Sequence, residues 1–123
     1  MIGNPYDTYK RQSVMTMTTV DMLTTLYDGI LKFLAYAEEA FKKNNYQEVN
    51  LYLQKAQKIL YYLKGNLDHK FEISQELESL YDYFIRETID INIKKDPSKI
   101  KDISEMIIDL KNTYVTADKM SRG

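Results

Sequence analysis

The fold class is decided by residues 20–41, which read VDMLTTLYDGILKFLAYAEEAF. Apolar side chains recur there every three or four residues, which places them on one face of an α-helix. This face consists of Leu23, Tyr27, Ile30, Leu31, Leu34, Ala37 and Phe41. The stretch predicts a long helix over residues 19–43. Thr18 and Asp21 resemble a capping box at its start, and Asn44-Asn45 supplies the stop.

Three further helices are predicted by the same periodicity, over residues 46–67, 74–95 and 98–117. Gly65-Asn66 weakens or ends the second helix, and Ser74 is a candidate N-cap for the third. Pro97 marks the boundary before the fourth helix. Because short links join helices of similar length, we expect an all-α, antiparallel up-down four-helix bundle over residues 18–118. Residues 119–123 are expected to fray.

Residues 1–17 stand apart from this pattern, because their apolar side chains are scattered among polar neighbours and cannot form a core alone. We expect an ordered N-terminal arm or short cap helix laid across the bundle, or else a mobile end. Its candidate contact residues are Tyr6, Tyr9, Val14 and Met17.

A second apolar stripe lies beside the first on the opening helix, and the next helix is also apolar well beyond one narrow seam. Either these helices are central, or the surplus surface receives a partner. The second stripe comprises Met22, Leu26, Phe33, Tyr36 and Ala40. The widened face of the next helix comprises Leu51, Tyr52, Ile59, Tyr61 and Tyr62.

The tripeptide Leu26-Tyr27-Asp28 recurs as Leu80-Tyr81-Asp82. A tyrosine in a core-facing stripe must bury its ring and satisfy its hydroxyl, so both sites predict polar-tipped packing between helices. The two aspartates are expected to hydrogen-bond locally or to a neighbouring helix.

Composition excludes several classes of function. The 17 basic and 18 acidic side chains are interspersed, which argues against a nucleic-acid surface. With no cysteine and a single histidine, His69, neither a thiol nucleophile nor a di-iron site is available. We expect no metal, no cofactor and no enzymatic activity. The start of the chain resembles no secretory signal, and no run is long enough to span a membrane, so a cytoplasmic location is expected.

Several short motifs resemble the flagellar secretion chaperone FliS family over nearly the whole chain. The matching pieces are Asn4-Pro5-Tyr6 with Tyr9, Leu26-Tyr27-Asp28-Gly29 followed by Leu31, Phe33 and Ala37, Lys55-Ala56-Gln57, Leu67-Asp68, Leu80-Tyr81-Asp82-Tyr83, Arg86, Asn92 and Lys95-Asp96. The resemblance implies a helical bundle in the bacterial cytoplasm that binds the disordered C-terminal region of flagellin. Bound flagellin would stay unpolymerised and be delivered to the type III export gate. The resemblance also implies that the chaperone's own N-terminal segment can occupy an empty groove.

The candidate partner-binding residues combine the arm, the surplus apolar surface and the repeated tripeptides. They are Tyr6, Tyr9, Val14, Met17, Met22, Leu26, Tyr27, Tyr36, Tyr52, Ile59, Tyr62, Leu80 and Tyr81. Tyr27 and Tyr81 are favoured more for packing than for contact. The alternative function is a self-associating bundle, structural or regulatory, whose surplus stripe forms a homodimer seam.

Overall fold

The computed structural model describes residues 19–122, which form an all-α bundle with no β-strand in that range. The four helices are α1 (Thr19–Lys42), α2 (Tyr46–Gly65), α3 (Ile73–Lys94) and α4 (Ile100–Arg122). A short 3₁₀ helix, Pro97–Lys99, immediately precedes α4. The expected arm and the Thr18 cap lie outside the described residues. The all-α fold class is confirmed.

The helices pack in a defined order around the core. α1 packs against α2 and α4, α2 also packs against α3, and α3 and α4 contact each other only slightly. Near the end of α3, Asn92 Nδ2 donates a hydrogen bond of 2.7 Å to Asn50 Oδ1 near the start of α2. The first turns of α2 therefore lie beside the last turns of α3. This pairing makes α2 and α3 antiparallel.

Asparagine and aspartate side chains shape the two tight links. Asn44 adopts the left-handed conformation, with φ of 55°, which asparagine tolerates better than most residues. Asn45 then caps α2, since its side chain accepts a hydrogen bond from the Glu48 amide at 3.2 Å. Asp96 caps the 3₁₀ helix in the same way, accepting from the Ser98 amide at 3.0 Å, and Pro97 follows where its missing N–H costs nothing.

The ends of all four helices differ from expectation, and α1 differs only by ending at Lys42. α2 ends at Gly65. α3 begins at Ile73, and Ser74 does not cap it: the buried Ser74 hydroxyl donates to the Phe71 carbonyl at 2.7 Å. α4 continues to Arg122 and corrects the expected end at residue 117, because neither glycine nor proline interrupts residues 98–122.

The core is built by the first apolar stripe of α1 and one face of each other helix. Among its most buried members are Tyr27, Ile30, Leu34, Val49, Leu53, Leu60, Tyr81, Phe84, Ile91, Ile100, Ile103 and Ile107. Thr88 is also buried, and its hydroxyl donates to backbone carbonyls of its own helix. Across the described part of the chain, no helix is sufficiently long and apolar to cross a membrane.

Candidate partner-binding groove

An aromatic cluster forms on the outer seam between α1 and α2. It consists of Phe33 and Tyr36 from α1 and Tyr52 from α2. The Phe33 and Tyr52 rings stack with centroids 6.3 Å apart, and the Tyr36 ring meets the Tyr52 ring edge-on at 5.2 Å. Tyr36 is 46% exposed, so the cluster presents aromatic surface to solvent. Tyr36 of α1 and Tyr52 of α2, both predicted contact residues, therefore belong to one surface.

Two lysines lie over this cluster. The Lys32 ammonium is 5.0 Å from the Phe33 ring centroid, and the Lys55 ammonium is 5.5 Å from it. Within residues 19–122, neither lysine forms a salt bridge with a carboxylate. The aromatic surface is thus bordered by two positive charges that are held by cation–π contact and are available to an incoming anion.

Gly29 of α1 and Ile59 of α2 lie next to the aromatic cluster along the same seam, closer to the start of α1. A Cβ atom built on Gly29 would lie 3.0 Å from Ile59 Cδ1, closer than ordinary van der Waals contact. The absent side chain therefore lets Ile59 of α2 lie close against the backbone of α1. Both residues are half-buried, so the seam stays partly open to solvent here.

Beyond Gly29, the seam opens into a cavity of about 470 Å³ at one end of the bundle. This end cavity lies where α1 and α3 begin and α2 and α4 end. Its wall is mostly apolar. The lining residues are Thr19, Met22, Leu23, Leu26, Tyr62, Leu63, Asn66, Leu67, Asp68, Phe71, Ile73, Ser74, Leu77, Tyr81 and Tyr114.

The aromatic cluster, the Gly29–Ile59 contact and the end cavity follow one another along the same helix face. On α1 the positions alternate by three and four residues, which is the spacing of a single face. The fourteen residue steps from Met22 to Tyr36 correspond to about 21 Å of helix. We call this surface the apolar groove. It is defined by Met22, Leu26, Gly29, Phe33 and Tyr36 of α1 and by Tyr52, Ile59 and Tyr62 of α2.

Two buried tyrosines, Tyr27 and Tyr81, lie directly behind the end cavity. The hydroxyl oxygens of Tyr27 and Tyr81 lie 2.7 Å apart, and the Tyr27 and Tyr114 ring centroids are 6.2 Å apart. Burial raises the pKa of Tyr27 far above its ordinary value, and burial raises the pKa of Tyr81 to about 12. Both tyrosines therefore remain neutral across the physiological pH range.

The repeated aspartates tie neighbouring helices together. Asp28 of α1 pairs with Lys111 of α4 at 2.6 Å, and Asp82 of α3 pairs with Lys64 of α2 at 2.7 Å. The hydrogen bond that the Lys64 ammonium donates to Asp82 raises the pKa of Lys64. The expectation that these carboxylates bond to a neighbouring helix agrees with this geometry.

The predicted contact residues separate into four groups, the last of which consists of Tyr27 and Leu80. Those of the arm, Tyr6, Tyr9, Val14 and Met17, lie outside the described residues. Six lie in the apolar groove: Met22, Leu26, Tyr36, Tyr52, Ile59 and Tyr62. Tyr81 reaches the wall of the end cavity but is only 1% exposed.

Tyr27, Leu80 and Ala40 do not contribute to the apolar groove. Tyr27, a candidate contact residue that was favoured more for packing, is 1% exposed and belongs to the core. Leu80 is half-buried on α3 and packs against the core away from the groove. Ala40, placed in the second stripe, is 1% exposed and also belongs to the core.

Sequence reasoning missed part of the site. Phe71 and Ile73 line the end cavity although they are 64% and 55% exposed. Two large apolar residues in a polar link were the available signal. Lys32 and Lys55 were missed because their position over Phe33 depends on how α1 and α2 pack, which periodicity does not specify. Within residues 19–122, no cluster of histidine, cysteine or acidic side chains could hold a metal ion.

The fold and this surface define a class of protein, a four-helix bundle with a long apolar groove along one interhelical seam. Comparison with known protein families is more specific, because the model of the family described as flagellar protein FliS matches residues 2–121. The chain therefore belongs to the FliS family, which confirms the resemblance seen in the sequence. This is a family of chaperones and not of enzymes, so the expectation of no enzymatic activity is also confirmed.

Individual relatives agree with this assignment. The flagellar secretion chaperone FliS of Bacillus subtilis (strain 168) is 31% identical over 121 residues, covering 98% of this chain and 91% of that protein. The protein of the same name from Escherichia coli (strain K12) is 29% identical over 105 residues, covering 83% and 77%. A crystal structure of a bacterial flagellar chaperone superposes with a TM-score of 0.80 at 20% identity, covering 93% of this chain and 94% of that one. At that identity the structural likeness supports the fold alone.

Proposed function

We propose that this protein is a cytoplasmic export chaperone that binds the disordered C-terminal segment of flagellin. Binding would keep flagellin unpolymerised until the complex reaches a component of the type III export gate. The observation that carries the proposal is the apolar groove, because a soluble bundle has no structural need to leave Tyr36, Tyr62 and Met22 exposed along one seam. Membership in the FliS family supports flagellin as the partner.

The proposed mechanism is helix-in-groove binding coupled to folding of the flagellin segment. Each apolar side chain that becomes fully buried contributes about 1.5 to 3 kcal/mol. Ordering the segment opposes binding by about 2 to 5 kcal/mol or more. Several anchors are therefore required, and the groove offers them at its two ends, in the end cavity and at the aromatic cluster.

A titration of the full chain with a C-terminal flagellin fragment from the same bacterium tests the proposal. Tyr52→Ala should lower the affinity about tenfold or more, because it removes the ring that stacks on Phe33 at the centre of the aromatic cluster. The matched control is Tyr61→Ala, since Tyr61 is an exposed tyrosine on the same helix that lies outside the groove.

Three results would count against the proposal. A fragment that does not bind would reject flagellin as the partner. Equal affinities of Tyr52→Ala and Tyr61→Ala would reject the groove as its site. A concentration-dependent dimer that Tyr52→Ala dissociates, with no flagellin binding, would favour the self-associating bundle.

A further inference from the structure

The apolar groove is asymmetric in charge along its length. At the aromatic cluster, the ammonium groups of Lys32 and Lys55 lie over Phe33. At the opposite end, Asp68 lies in the wall of the end cavity, and one of its carboxylate oxygens accepts a hydrogen bond from the Lys70 amide at 3.0 Å. No lysine or arginine in the described part of the chain forms a salt bridge with Asp68.

This asymmetry matches the charge distribution of an α-helix. The macrodipole places partial positive charge at a helix N-terminus and partial negative charge at its C-terminus. A helix lying in the groove is therefore better stabilised with its C-terminal end beside the lysines and its N-terminal end beside Asp68. Carboxylates in its last turns would pair with the two ammonium groups, neither of which forms a salt bridge within residues 19–122.

We propose that the groove binds its partner in one direction, as an amphipathic helix whose acidic C-terminal end lies over the aromatic cluster and whose N-terminal end enters the end cavity. The inference rests on the proposed function, because the partner is taken to be the flagellin segment. The length of the groove, about 21 Å, accommodates about four turns of helix.

The chain's own first residues are a poorer match for the lysine end. Residues 1–18 contain one acidic side chain, Asp7, and two basic ones, Lys10 and Arg11. This composition cannot pair a carboxylate with each of Lys32 and Lys55. The lysine end is thus suited to a separate, acidic partner segment.

Paramagnetic NMR tests the direction. The probe is the shortest C-terminal flagellin fragment that still binds, prepared with a nitroxide at either its N-terminal or its C-terminal end and added to the isotope-labelled full chain. The C-terminal label should broaden the amide signals of residues 32–36 and 52–55. The N-terminal label should broaden those of residues 19–26 and 66–74.

The outcomes separate this inference from the proposed function. The reverse pattern, or equal broadening at both ends by each label, would overturn the direction while leaving flagellin binding intact. Absence of saturable binding and of any broadening would instead reject the proposed function, and the inference with it.

Charge reversal provides a second test. The double variant Lys32→Glu/Lys55→Glu should weaken binding about 3- to 30-fold at low ionic strength, and the loss should shrink as salt is added. Lys101→Glu, an exposed lysine on α4, is the matched control. Lys32→Gln/Lys55→Gln should give an intermediate loss, which separates charge from disruption of the aromatic packing. Affinities equal to that of the control at every salt concentration would overturn the inference.

Discussion

The hydroxyl oxygens of Tyr27 and Tyr81 lie 2.7 Å apart in the core, although α1 and α3 do not pack side by side. The two side chains meet in the core, where one hydroxyl donates a hydrogen bond to the other. Each tyrosine belongs to one copy of the repeated Leu-Tyr-Asp tripeptide. The repeat therefore places matched polar tips on two opposite helices, just behind the end cavity that Tyr81 lines.

Removing both hydroxyls of this pair should cost less stability than the sum of removing each one alone. Tyr27→Phe leaves the Tyr81 hydroxyl buried without its partner, which should cost about 1 to 3 kcal/mol of unfolding free energy. Tyr27→Phe/Tyr81→Phe leaves neither group unpaired and should be less destabilised than the sum of the two single variants. Urea unfolding of the four proteins gives the coupling free energy. Strict additivity would show that the hydroxyls do not stabilise each other.

The same pair should make stability fall at high pH. A tyrosine titrates near pH 10 in the unfolded chain, whereas burial raises the pKa of Tyr81 to about 12 and that of Tyr27 further. Between these values the unfolded state binds fewer protons, so its free energy falls relative to the native state. Above pH 10, each tyrosine should remove up to about 1.4 kcal/mol of stability per pH unit. The double phenylalanine variant should show a shallower decline in urea unfolding from pH 9 to pH 11.5. If the stabilities of the unaltered chain and the double variant fell in parallel over this pH range, the raised pKa values of the two tyrosines would be contradicted.

Gly29 provides a test of close packing between α1 and α2. Replacing a helical glycine with alanine gains about 1 kcal/mol of helix propensity, but the new Cβ would lie 3.0 Å from Ile59 Cδ1. We expect Gly29→Ala to gain less than this, because Ile59 must shift. Ala35→Gly, at an exposed position of the same helix, measures the propensity difference alone. If Gly29→Ala gains as much as Ala35→Gly loses, the contact does not constrain the seam.

The fold was predictable because its determinants are local. Apolar spacing in residues 20–41 and the breaks at Asn44-Asn45 and Pro97 mark helices directly along the chain. The end of α4 was not predicted correctly. Residues 118–122 are polar enough to suggest a frayed tail, yet they contain nothing that stops a helix. Surface polarity alone does not end a helix.

The site was predictable only in part, for a different physical reason. A surplus stripe on α1 and a widened face on α2 can be read from sequence, but their union into one groove depends on which faces the core selects. Ala40 shows that periodicity alone does not identify surface residues, because it has the spacing of the second apolar stripe but lies in the core. The Tyr27–Tyr81 bond is similarly non-local, because it joins residues 54 positions apart.

Deleting residues 1–17 should tighten flagellin binding if the arm competes for the groove. Thr19, the second residue after the deleted segment, lines the end cavity. A competitor that occupies the site part of the time lowers the apparent affinity by the fraction of chains left free. Titration of the truncated and full chains measures that fraction, and Tyr6→Ala/Tyr9→Ala should give part of the gain. Equal or weaker binding after truncation would reject competition and indicate that the arm contacts flagellin directly.

The central claim is that flagellin's C-terminal segment occupies the apolar groove between α1 and α2. Amide hydrogen exchange of the full chain, free and saturated with the flagellin fragment, tests it most directly. We predict slower exchange along residues 22–36 of α1 and 52–62 of α2, with the solvent-facing amides of α4 unchanged. Saturated binding that leaves exchange in α1 and α2 unaltered would contradict the account.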